Sequence, residues 1–115
     1  MDQKKAVELL VEIARKTSAK KLPWKETAEN GIFIVAVKGE YTLKAYPFTS
    51  YDGEKGVGPP SVSLYSGGGK MIADLTYELP GITRTALEQL YEEIKSQVYR
   101  IDEKIDDALG FLKSL

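Results

Sequence analysis

The apolar residues of the last third of the chain fall at Leu87, Tyr91, Ile94, Val98, Ile101, Ile105, Ala108, Leu112 and Leu115. The steps between them alternate between four and three, the heptad spacing that keeps one helical seam turned toward a partner helix. With Leu87 at a d position, Tyr91, Val98, Ile105 and Leu112 take the a positions. Glu88, Lys95, Asp102 and Lys104 then border the seam. Thr85 and Glu88 have the spacing of a capping box, and Pro80-Gly81 stands just upstream as a stop. An unbroken helix here would run about 45 Å at ~1.5 Å per residue. An ordinary strand spans only about 17–20 Å. One sheet therefore cannot cover such a helix. Two outcomes satisfy this: the helix projects and pairs with a second copy, or it breaks near Arg100-Ile101-Asp102 and the tail folds back. In the second case Asp102 would cap a separate helix. The seam residues Leu87, Tyr91, Ile94, Val98, Ile101, Ile105 and Leu112 are the candidate dimer surface. The competing reading is a core-facing stripe with a period of 3.6.

The rest of the chain must supply what this helix rests on. At 115 residues it is one domain, 1–115, with room for a single core. Apolar residues make up 43% and charged residues 29%, the balance of a folding chain. No apolar run approaches ~18 residues, so no membrane span is expected. The N-terminus is charged and amphipathic, unlike a secretory signal, and a cytoplasmic location is expected. There is no cysteine and no histidine. This removes disulfides, thiolate and imidazole catalysis, and the commonest metal ligands. With no recognisable catalytic motif either, neither an enzyme nor a cofactor is expected.

Residues 3–17 read as an amphipathic helix. Ala6, Leu9, Leu10 and Ile13 form its stripe, which Val7, Val11 and Ala14 widen. The widened arc suits contact with both the sheet and the C-terminal helix, and makes this helix a second candidate intermolecular surface. Residues 1–25 hold seven Lys/Arg against three Asp/Glu. Arg15, Lys16, Lys20 and Lys21 sit where a helix dipole favours cations, which accounts for much of that charge. The pI of about 5.5 argues against nucleic acid as a partner.

Strands are expected at Trp24–Glu29, Ile32–Lys38, Tyr41–Phe48, Ser61–Ser66 and Lys70–Tyr77. Asn30-Gly31 and Lys38-Gly39-Glu40 are the turns between the first three. Ile32–Lys38 is apolar on both sides and reads as buried on both faces. In the last strand Met71, Ala73, Leu75 and Tyr77 share one face. Residues 49–60, with Gly56, Gly58, Pro59 and Pro60, read as an irregular loop. Helix, meander, helix is an α+β arrangement: an antiparallel sheet of about five strands, flanked on one face by an N-terminal helix and a long or broken C-terminal one.

Few groups invite chemistry. Ser66-Gly67-Gly68-Gly69-Lys70 lacks the spacing of a phosphate loop and opens no helix, so it reads as a hairpin turn. Asp52-Gly53-Glu54 lacks the calcium-loop pattern and reads as a solvated turn. Asp74 reads as a solvent-facing strand residue. Tyr46, Phe48 and Tyr65 share the sheet face away from the helices. They form the candidate partner surface, for an unidentified protein or a ligand, with cross-strand packing as the plainer account.

Leu22, Trp24 and Thr27 follow an amphipathic helix and precede a tyrosine-containing meander. In this the chain resembles small uncharacterised bacterial α+β proteins with a Leu-x-Trp-x-x-Thr approach to the first strand. The resemblance implies a four- or five-stranded sheet and a closing helix or helix pair. It carries no activity and no site residue. The function expected from the residues is a non-enzymatic interaction or scaffold domain forming a homodimer. The alternative is a small-molecule or nucleic-acid binding module using the aromatic face and the 49–60 loop.

Overall fold

The computed structural model describes residues 3–48, 50–52, 55–78 and 83–115. Helix α1 spans Gln3–Ser18 and buries Ala6, Leu10, Ile13 and Thr17 along one line. Val7 and Val11 stay exposed, so the buried stripe is narrower than the apolar arc in the sequence. Lys21 N–H donates to Lys16 C=O and Lys20 N–H to Thr17 C=O, both at 2.9 Å. These paired bonds close the helix as a Schellman motif, with Lys20 at φ 58° where glycine is usual.

Strands β1 (Lys25–Glu26), β2 (Phe33–Val37) and β3 (Tyr41–Tyr46) follow as an antiparallel meander. The β1–β2 connection is longer than an Asn-Gly hairpin. Thr27 N–H donates to Ile32 C=O, which closes a four-residue loop over residues 28–31. The β2–β3 connection is a tight turn with Lys38 and Gly39 both at positive φ, 58° and 75°. Glu40 N–H donates back to Val37 C=O across it. This is the primed geometry that matches strand twist.

Residues 49–60 are not wholly irregular. Strands β4 (Ser50–Asp52) and β5 (Lys55–Val57) pair antiparallel as a separate two-stranded ribbon. A glycine-rich composition lowers strand propensity without forbidding backbone pairing. Gly53 and Glu54, of the candidate cation loop, lie outside the described residues, as does the Pro80-Gly81 stop.

Strands β6 (Ser61–Ser66) and β7 (Met71–Asp74) complete the main sheet, in the order β1-β2-β3-β6-β7. The final strand is shorter than the sequence suggests. Asp74 Oδ1 accepts the Thr76 N–H at 3.0 Å, an N-cap bond that turns the chain into the helical turn α2 (Leu75–Glu78). A register shift opposite Leu64/Tyr65 pairs Tyr65 with Met71 and Leu64 with Ala73. Ile72 is the extra residue of this bulge, so its neighbours part to opposite faces. Ala73 is buried and Met71 is half exposed on the other side.

Helix α3 covers Thr83–Tyr99 and α4 covers Ile101–Lys113. Thr85 and Glu88 therefore lie inside α3 and do not bracket its start. Helices α1 and α3 lie on one face of the sheet. The core joins Ala6, Leu10 and Ile13 of α1, Leu87, Leu90, Tyr91 and Ile94 of α3, and Phe33, Val35, Leu43, Ala45 and Val62 of the sheet. Leu75 and Trp24 close its ends. Each large side chain so buried contributes about 1.5–3 kcal/mol. The Phe33 ring meets those of Tyr91 and Tyr99 with both centroids at 5.7 Å. Among the described residues, no helix covers the opposite sheet face. Ile34 is only partly buried there and Ala36 is exposed, so β2 is covered on one face and not on both.

The C-terminal segment breaks at Arg100, which stands at φ 55°, ψ 46° between α3 and α4. The tail does not fold back. No residue of α4 is buried. The molecule measures 56 Å along its longest axis, with a radius of gyration of 15.8 Å. A compact domain of this length has a radius of about 13 Å. Among the described residues, no helix is long and apolar enough to cross a membrane.

Candidate functional site

Two surfaces follow from this fold: a hollow on the open sheet face, and the exposed stripe of α4.

Alternation along β3 and β6 sends Tyr46, Lys44, Ser61, Ser63 and Tyr65 to the open face. The register sets Tyr46 opposite Ser61 and Lys44 opposite Ser63. Tyr65 and Tyr46 reach toward each other diagonally, and their hydroxyls lie 3.2 Å apart. Lys44 Nζ sits 5.0 Å from the centre of the Tyr65 ring, within cation–π range. Beside the tyrosine pair is a hollow of about 430 Å³. Phe48, Met71 and Ile32 supply its apolar wall, and Ser61, Asn30, Glu29 and Asp74 its polar one. The expected trio Tyr46, Phe48 and Tyr65 is thus brought together at one place.

The rim is held from behind by the core. Glu26 accepts the Gly31 N–H at 2.8 Å and the Tyr99 hydroxyl. Tyr91 donates its hydroxyl to Gly31 C=O. These bonds tie the 28–31 loop, with Glu29 and Asn30, to helix α3. The Gly31 N–H first, and Tyr99 second, hold the Glu26 carboxyl below its ordinary range. A side chain at Gly31 would be strained: its φ is +82°, and a Cβ would lie 3.1 Å from the Tyr91 hydroxyl, which would have to give way.

On the far wall Asp74 Oδ1 accepts from Ser61 Oγ at 3.1 Å as well as from Thr76 N–H. Burial raises the Tyr46 phenol well above its ordinary pKa, helped by the Tyr65 hydrogen bond and by negative charge on Tyr65, Glu29 and Asp74. It remains a neutral hydroxyl, able to donate or accept. Sequence reading missed Asp74, Glu29 and Met71 as members of this site. Asp74 carried a readable sign, an acid two residues before Thr76 where strand gives way to helix. Met71 did not, because its face is set by the bulge. No group of three potential metal ligands occurs among the described residues.

The seam residues divide at Arg100. Leu87 and Ile94 are fully buried and Tyr91 nearly so, all inside the protomer's own core. Val98 packs partly against that core, and Ile101 is half-buried. Ile105 is 51% exposed and Leu112 60%. Leu109 and Phe111, which the seam did not include, are 44% and 65% exposed on the same short helix. On α1, Val7 and Val11 are likewise open.

No protein-family model, no curated protein and no solved structure matches the chain.

Proposed function

We propose that the protein is a non-enzymatic interaction domain that forms a homodimer through its C-terminal helix. One observation carries this reading. Helix α4 is amphipathic, with Ile101, Ile105, Ala108 and Leu112 at helical spacing on one side, yet none of its residues is buried. A helix of 13 residues without packing is marginal in water. Its apolar stripe gains from a partner, and a second copy brings the same stripe. The gain is modest. Ile105, Leu109, Phe111 and Leu112 are about half exposed, and covering each contributes about 1 kcal/mol. Two copies give about 8 kcal/mol, against an association cost of about 4–15 kcal/mol. The dimer is accordingly a concentration-dependent one.

The test is sedimentation or light scattering over a concentration series reaching about 1 mM. The wild-type protein should pass from monomer to dimer. Ile105→Glu combined with Leu112→Glu should remain monomeric, with unfolding stability within about 0.5 kcal/mol of wild type because both sites are exposed in the protomer. A wild type that is monomeric throughout, or a double variant that dimerises equally well, sinks the reading.

A second reading has its own observation, the tyrosine-lined hollow. Its volume lies within the roughly 300–1,000 Å³ of small-molecule sites. Glu29 and Asp74 would oppose a phosphate backbone on that face, which favours a small molecule over nucleic acid.

A further inference from the structure

The hollow on the open sheet face has a definite chemical bias. Its aromatic residues are Tyr46, Phe48 and Tyr65, and its charged residues are Glu29 and Asp74. Among the described residues that line it, none is a lysine or arginine. Neither carboxylate has an ion-pair partner among the described residues. An anion would meet two carboxylates in the lining, with Lys44 the cation beside them over the Tyr65 ring. A purely apolar ligand would take the Glu29 and Asp74 carboxylates out of water with no countercharge. A hard metal ion seeks more oxygen ligands than two carboxylates supply. An organic cation is attracted both by carboxylates and by the negative faces of aromatic rings. The protein already shows the second attraction next to the hollow, where the Lys44 ammonium lies over the Tyr65 ring.

We propose that this hollow binds a small organic cation, an alkylammonium group, with Tyr46, Tyr65 and Phe48 as its aromatic wall and Glu29 and Asp74 as its countercharge. The proposal rests on the second reading above, that the hollow is a small-molecule site, and adds the class of ligand. It is independent of dimerisation.

The probe is choline, compared with 3,3-dimethylbutan-1-ol, its uncharged carbon analogue of the same shape. Binding is followed by amide chemical shifts in the full-length protein at low salt. Choline should give saturable shifts clustered at Ile32, Tyr46, Ser61, Ser63 and Tyr65, and the neutral analogue should bind at least about tenfold more weakly. Asp74→Asn keeps an oxygen for Ser61 and Thr76 while removing the charge, so it should retain the fold and weaken choline several-fold. Glu29→Gln, at an exposed position, should act in the same direction. If the two probes bind the hollow equally, the charge assignment is wrong and the hollow remains a ligand site. If neither saturates, both the proposal and the small-molecule reading fall.

Discussion

Thr17 carries two attachments with one residue. Its hydroxyl accepts the Trp24 indole N–H at 3.0 Å, and its carbonyl accepts the Gln97 side-chain amide at 2.6 Å. The first bond joins α1 to the approach of the sheet and the second joins α1 to α3. Thr17 is fully buried and Trp24 nearly so, which keeps solvent from replacing a lost partner. Thr17→Val preserves shape and the backbone bond but strands the indole N–H. Such a buried unsatisfied donor costs about 1–3 kcal/mol. Urea unfolding followed by Trp24 fluorescence should show that loss. Thr17→Ser, which keeps the hydroxyl, should recover most of it. Equal losses in the two variants would mean that the methyl contact matters and the hydrogen bond does not. Position 17 also shows what single residues conceal. Nothing in the sequence separates this threonine from a solvated helix terminus, because its partners lie seven and eighty positions away. Tyr91 and Tyr99 are legible as helix residues in the same limited way. Their bonds to Gly31 and Glu26 depend on long-range packing.

At the scale of elements, the order helix, meander, helix was legible because hydrophobic period and turn residues are local. Phe33, Val35, Leu43 and Ala45 alternate cleanly and are buried as a strand face should be. The errors have local causes that a period cannot register. Asp74 caps a helical turn where Leu75 and Tyr77 merely extend the alternation. Ile72 bulges and turns Met71 outward. Arg100 breaks a seam whose spacing continues unperturbed through it, and carries neither glycine nor proline to mark the break. The hollow was half legible: the three aromatics follow from alternation, whereas the carboxylates depend on a loop and a cap. The β2–β3 turn gives a test of how well local chemistry serves its element. Lys38 occupies a left-handed position that a long side chain tolerates poorly. Asn is favoured at the first central position of this turn type, with Gly39 already at the second. Lys38→Asn should stabilise the protein by about 0.5–1 kcal/mol in thermal or urea unfolding. A neutral or destabilising result would mean that the turn is held by its strands and not by its own residues.

For the whole molecule, the question is what α4 meets when it leaves the body of the domain. Its charge separates two arrangements of the proposed dimer. Helix α4 holds Asp102, Glu103, Asp106 and Asp107 against Lys104 and Lys113, a net negative segment. Helix α1 holds Lys4, Lys5, Arg15 and Lys16 against Glu8 and Glu12, a net positive one, with Val7 and Val11 exposed. If α4 pairs with α4, apolar contact is opposed by mild repulsion between like helices. Salt screens that repulsion, the Debye length falling from about 10 Å at 0.1 M to about 3 Å at 1 M. The dimer dissociation constant should then fall a few-fold between about 50 and about 500 mM salt, and this is the outcome expected from the heptad spacing. If α4 instead lies on the α1 of its partner, opposite charges assist the contact and the same salt change should weaken it. Placing a positive charge at Asp106 gives an independent reading: Asp106→Lys should tighten an α4–α4 dimer and loosen an α4–α1 one. Agreement between salt and substitution would fix which helix α4 meets. A dissociation constant indifferent to both would mean that neither helix face bears on association, and that the two copies meet elsewhere.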